Sequence, residues 1–225
     1  MKRKAEGSTS QMRTKRIKVK RETQDQKIRR ISRRQVMSLS NKVMCLSNTV
    51  STGALINWNG TIFNLFDQLA RGDNSLNNFR GDSLTPLYLK MRYTLLGNDQ
   101  PQNMRVILFQ WFQSSTPSVA GLLDTSNTLL GTALAPFSDK QFDNRKTYKI
   151  LYDKFHNLTN TGAGDQNISQ GAEVFIPASA FRKVEFVYNS ASPQTGGIYC
   201  CCVSDSGAVT HPSFFYVSSI ICSDN

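Results

Sequence analysis

Histidine is almost missing from this chain: His156 and His211 are the only two in 225 residues. Neither lies near a cysteine pair of ligand spacing, which argues against a transition-metal site. The five cysteines (Cys45, Cys200, Cys201, Cys202 and Cys222) form an odd set with three adjacent, neither a disulfide framework nor a zinc pattern. In a strand, Cys200 and Cys202 share one face and Cys201 takes the other, so buried thiols serving as small apolar filling are expected. No stretch approaches the ~18 consecutive apolar residues of a membrane span, and no apolar signal-peptide core stands near the start. The expectation is a soluble chain made inside a cell, with no membrane partner. Catalytic signatures are lacking as well. There is no G-x-S-x-G elbow, no Gly-rich phosphate loop, no H-E-x-x-H and no local Cys-His or Ser-His-Asp grouping. No enzyme, catalytic residue, metal or cofactor is expected.

Charge is scarce at 19% of residues, so something else covers much of the surface; subunit contacts and the abundant Ser, Thr, Asn and Gln are the two candidates. What charge there is sits at one end. Met1 to Arg34 holds Lys2, Arg3, Lys4, Arg13, Lys15, Arg16, Lys18, Lys20, Arg21, Lys27, Arg29, Arg30, Arg33 and Arg34 against Glu6, Glu22 and Asp25, a net +11. The rest of the chain balances, since +11 is also the net charge of the whole. A block of like charge repels itself, and a polyanion is the partner that rewards it, so these fourteen cations are the candidate nucleic-acid-binding residues. A solubilising tail or a bare nuclear-import signal is the blander reading of the same block.

The block has two parts. Met1 to about Glu22 offers no apolar periodicity and is expected to be disordered alone. From about Gln24 to Ser38, Ile28, Ile31 and Gln35 share a helical face while the arginines spread over the rest, which predicts a short basic helix in need of a partner. From residue 41 onward the texture changes to short apolar or alternating runs separated by Gly, Asn, Asp, Ser and Pro clusters, the pattern of an antiparallel all-β domain. The chain therefore divides into a basic arm, 1–40, and a β-sandwich, 41–225. Eight principal strands are expected: Lys42 to Val50, Gly60 to Phe66, Leu87 to Leu96, Met104 to Gln113, Tyr148 to Leu158, Ala172 to Pro177 continuing after a break through Lys183 to Tyr188, Ile198 to Ser204, and Phe214 to Cys222. The run from Arg105 to Phe112 is nearly all apolar, which fits a strand buried on both faces or one whose outer face meets another subunit. Tyr148 to Phe155 is mixed and should keep one solvated face.

Long connections are expected at Arg71 to Thr85 and Ser114 to Thr147. The second carries Val119, Leu122, Leu123, Leu129, Leu130, Leu134 and Phe137, numerous enough to suggest a subunit contact, with folding over its own core as the alternative. Arg71-Gly72-Asp73 spells the integrin tripeptide, which has meaning only on an exposed loop tip.

Several of these pieces occur in a telling order. Leu69-Ala70-Arg71-Gly72-Asp73, then Asn78 and Arg80-Gly81-Asp82, precede the strand with Leu89 to Tyr93; Arg105 to Gln113 leads into Thr116-Pro117-Ser118-Val119 and Leu122-Leu123; Tyr148-Lys149-Ile150-Leu151-Tyr152-Asp153 and the segment Ile176-Pro177 to Tyr188-Asn189 follow. The order resembles the coat proteins of satellite tobacco necrosis virus and of the related small circular single-stranded DNA viruses, over about Arg13 to Asp224. The loop from Ser126 to Asp143 and the Cys200-Cys201-Cys202 triplet depart from that pattern. The resemblance implies a single eight-stranded jelly roll, sixty copies in a T=1 icosahedral shell, and inward-projecting arms that hold a single-stranded genome, DNA in preference to RNA. It also implies the host nuclear import machinery as a partner, a host receptor of unspecified kind, and residence in the virion and in the host nucleus during assembly. The competing reading is a monomeric cellular nucleic-acid-binding β-domain with a basic tail. That protein would want a basic patch on the folded domain too, whereas the domain here sums to zero.

Overall fold

Strict alternation builds the first strand: Val43, Cys45 and Ser47 point inward while Lys42, Leu46 and Asn48 are exposed. The computed structural model describes residues 42–48, 53–72, 75–97, 102–124, 136–141, 146–158, 169–206 and 211–224. The expected arm, its helix from Gln24 to Ser38 and all fourteen of its cations lie outside the described residues.

In chain order the strands are β1 (Lys42–Asn48), β2 (Ala54–Leu55), β3 (Thr61–Asn64), β4 (Ala70–Arg71), β5 (Asn78–Phe79), β6 (Ser83–Leu96) and β7 (Gln102–Trp111). A short helix, α1 (Val119–Leu122), comes next. Then follow β8 (Tyr148–Leu158), β9 (Ser169–Pro177), β10 (Val184–Phe186), β11 (Pro193–Thr195), β12 (Gly197–Ser204) and β13 (Ser213–Asp224). One antiparallel sheet runs β1-β13-β6-β10-β11, with β9 paired to β6 and β2 to β13; a second runs β3-β12-β7-β8. The pairing of the long strands is nested. β1 pairs with β13, β3 with β12, β6 with β9, and β7 with β8, all antiparallel. The inner faces of the two sheets share one core, with Met91, Tyr93 and Phe214 from the first meeting Val106, Leu108, Cys200 and Cys202 from the second. The chain is thus an all-β sandwich of curled antiparallel sheets, as its texture implies.

Strand edges differ from expectation where a single residue type misleads. β6 begins at Ser83, four residues before the expected Leu87, and passes through Pro86. Its register with β13 shifts between Ile221 and Cys222, so that Tyr88 opposes Ile221 and Pro86 opposes Cys222. A bulge tolerates a residue without an N–H, and the strand continues past the proline. Gly196 turns β11 into β12 at φ +81°, and a Cβ there would stand 2.4 Å from the Lys183 carbonyl, so only glycine closes this turn.

The apolar run of β7 is buried on both faces within this one chain. Ile107, Phe109 and Trp111 on its outer side join Cys201, Val203 and Tyr148 in a second core, closed by Leu122 and Leu123 from the long connection. α1 is capped by Ser118, whose Oγ accepts from the Gly121 N–H at 3.1 Å. The connection is tied back by Asp124 N–H to the Asp139 carbonyl (2.7 Å) and Gln141 N–H to the Leu122 carbonyl (2.9 Å). Leu122 and Leu123 are therefore core residues, which corrects the expectation of a subunit contact for them: a sheet face this apolar has to be covered, and this loop covers it. Leu129, Leu130 and Leu134 lie outside the described residues. The same cover reaches β8, where Lys149 to Asp153 are partly buried and Lys154, Phe155 and Asn157 are exposed.

Candidate nucleic-acid interface

Cations in the described residues are mostly committed to the protein itself. Arg71 is the extreme case. Its Nε donates to the Ser190 carbonyl (3.0 Å), Nη1 to the carbonyls of Arg80 (3.0 Å) and Gly81 (2.7 Å), and Nη2 to Asp82 Oδ1 (3.1 Å) and the Val187 carbonyl (3.3 Å). These bonds use all five guanidinium donors, and the plane lies over the Phe79 ring at 4.6 Å. Asp224 accepts from the N–H groups of Arg80 (2.8 Å) and Gly81 (3.0 Å), so the connection from Arg71 to Asp82 is held at both ends. The arginine of the Arg71-Gly72-Asp73 tripeptide is a structural clamp and is not presented to a receptor; Asp73 lies outside the described residues.

Arg105 is the second committed cation. Almost fully buried, it donates from Nε and Nη2 to the two oxygens of Asp153 (2.8 and 2.9 Å) and from Nη1 to the carbonyls of Pro136 (3.1 Å) and Ser138 (2.6 Å). Lys140 reaches the same carboxylate at 2.8 Å. Burial alone would raise the Asp153 pKa, but the hydrogen bonds and charge of Arg105 and Lys140 hold it below the usual carboxylate range. Lys149 donates to the Ala180 carbonyl at 2.6 Å, and Arg182 lies over the Phe112 ring at 4.6 Å. These side chains fasten loops to sheets and leave little for a polyanion.

The buried polar groups are equally satisfied. His156 donates from Nδ1 to Gln170 Oε1 (3.1 Å), because the Nε2 of that amide donates to the Asn157 carbonyl (2.7 Å). The ring Nε2 then accepts from the Tyr93 hydroxyl at 2.8 Å, and Tyr93 in turn accepts from Tyr152 at 2.9 Å. Burial depresses the His156 pKa and keeps the ring neutral. All five cysteines are free and buried, with Cys200 and Cys202 in the main core and Cys201 in the second. Burial pushes the thiols of Cys45 and Cys201 up to about 12, so they are apolar filling with no nucleophilic character. Among the described residues no group of three or more His, Cys, Asp or Glu is placed to hold a metal ion, and no helix is long and apolar enough to cross a membrane.

Four large apolar residues that the charge pattern passes over stand exposed on the open face of the β1-β13-β6-β9 sheet: Leu46, Tyr88, Phe175 and Val217. For Leu46 the signal in the sequence is an apolar residue at the outward position of an alternating strand, Val43 to Asn48. Lys90 and Arg92 share that face and both reach Glu173, at 2.9 and 3.0 Å. The chain matches no protein-family model and no curated protein.

Proposed function

We propose that this chain is the coat protein of a small icosahedral virus, a jelly-roll shell subunit whose basic N-terminal arm holds a single-stranded genome. The observation that carries the reading is the partition of charge: +11 within the first 34 residues and zero over the rest. A neutral domain whose Arg71 and Arg105 are tied up internally offers little electrostatic purchase on nucleic acid, so most of the binding falls to the arm. Each Lys or Arg meets phosphate oxygens without reading sequence. The nested pairing of first strand with last, through to the innermost pair, supports a jelly roll, since it is the wrapping that folds one long hairpin into two facing four-stranded sheets. Sixty arms would bring about 660 positive charges, a scale suited to a genome of roughly one to a few thousand nucleotides.

Deleting Met1 to Lys20 tests this. Purified full-length protein should give uniform particles by electron microscopy, and the truncated protein should remain folded while its particles carry less nucleic acid. Equal nucleic-acid content per particle in the two would remove the arm from packaging, and a full-length chain that stays monomeric under all assembly conditions would sink the coat-protein reading.

A further inference from the structure

The two outer sheet faces are treated differently. That of β3-β12-β7-β8 is sealed by the long connection and its second core, whereas the outer face of β1-β13-β6-β9 is buried at Ile221 and open at Leu46, Tyr88, Phe175 and Val217. Register places Leu46, Ser219, Lys90 and Phe175 in one row across that face, and Asn48, Val217, Arg92 and Glu173 in the next. Fractional exposure is 64% for Phe175, 61% for Val217, 49% for Leu46 and 37% for Tyr88. Large apolar side chains in adjacent rows of one face mark a binding surface rather than scattered exposure.

We propose that this face is a stacking surface for single-stranded nucleic acid, with Tyr88 and Phe175 as its platform. The inference rests on the nucleic-acid-binding reading above and adds a second contact to it. Tyr88 and Phe175 are already stacked on each other, ring centroids 5.9 Å apart at 29°, so a base can extend the stack on the ring face that the pair leaves free. Exposed aromatics on a sheet are the device by which proteins hold unpaired bases without reading their identity. The charged residues at outward positions of the four strands are Lys42, Lys90, Arg92 and Glu173, three cations to one acid. Glu173 is shared by Lys90 and Arg92, and a phosphate can take up the cation that the carboxylate cannot neutralise. A second copy of the chain is the poorer occupant: it would double the net positive charge of the face, which a polyanion neutralises.

The test uses the full-length chain and a bromodeoxyuridine-substituted oligothymidylate, photo-crosslinked and mapped by mass spectrometry, beside affinities measured over a salt series. Adducts are expected at Tyr88 and Phe175 as well as in the arm. Because both rings are exposed, Tyr88→Ala and Phe175→Ala should leave the fold intact, and each should weaken binding about tenfold at every salt concentration, with the salt slope unchanged because no charge is lost. Adducts confined to the first 41 residues, with unaltered affinity in both variants, would overturn the stacking surface and leave the arm's role standing. No binding by the wild-type chain would overturn both. Variants that bind the oligonucleotide normally but fail to self-associate would assign the face to contacts between copies and so overturn the proposal.

Discussion

If the long connection closes a second core, Leu122 should behave as an interior residue and never as a contact between subunits. The side chain is fully buried among Ile107, Phe109, Trp111, Leu123, Tyr148, Cys201 and Val203, all from the same chain. Leu122→Ala deletes three buried carbons, about 2.4 kcal/mol at ~0.8 kcal/mol each. The cavity left behind adds to this, since the β7 and β12 strands that line it are fixed by their pairing, giving a total of about 3–5 kcal/mol. Leu122→Asp places a carboxylate in the same apolar setting, and its cost approaches the ~5–15 kcal/mol by which a whole domain is stable. Denaturant unfolding followed by Trp fluorescence reads both, because Trp111 lines the site. The alanine variant should unfold at a clearly lower midpoint with an unchanged slope, and the aspartate variant should be recovered unfolded or aggregated. Phe137→Ala is the control: that ring is half exposed and stacked on Phe155, so its loss should cost under about 1 kcal/mol. A Leu122→Asp protein with the wild-type midpoint that nonetheless failed to form particles would refute the core assignment and put the side chain at a subunit boundary.

Two further outcomes follow from the buried ionisable groups. Asp153→Asn strands the Arg105 guanidinium and should cost about 3–5 kcal/mol in denaturant unfolding; because the folded Asp153 pKa is depressed, the wild-type pair contributes stability above the unfolded value of ~3.9 and loses it as pH falls through the lower folded value, a limb that Asp153→Asn should abolish. His156 has the opposite chemistry and the same sign: its depressed folded pKa means that the unfolded chain takes up a proton near pH ~6.5 that the folded chain refuses, so stability should decline as pH drops below that value, and His156→Gln should flatten this part of the profile. A wild-type stability that is level from about pH 7.5 to pH 5 would show that the ring is not held neutral.

How much of this was legible in the sequence depends on whether a residue's environment is local. β1 could be read because Val43, Cys45 and Ser47 alternate with exposed neighbours, a property of the strand itself. The triplet Cys200-Cys201-Cys202 divided between two cores as alternation requires. The start of β6 was hidden because Pro86 argues locally against a strand, and only the register shift opposite Ile221 and Cys222 makes room for it. Burial of β7 on both faces could be read from its composition, but not the identity of its cover, since Val119, Leu122 and Leu123 share no period with the sheet they close.

The open face escaped for a related reason. Val174-Phe175-Ile176 is a continuous apolar run, which reads as wholly interior, and pairing with β6 is what turns Val174 and Ile176 inward and leaves Phe175 outside. A run that is apolar at every position cannot say which of its faces is solvated; the partner strand decides. The clamp made by Arg71 is hidden in the same way, because Ser190 and Val187 lie more than a hundred residues further along the chain. Charge therefore separated a basic segment from a neutral domain, while nothing in charge or periodicity could show that the neutral domain spends Arg71 and Arg105 on itself and leaves Tyr88 and Phe175 exposed. On the proposed reading that face is where a contribution of the domain to binding is to be sought, because the arginines fixed by Asp82 and Asp153 cannot supply it.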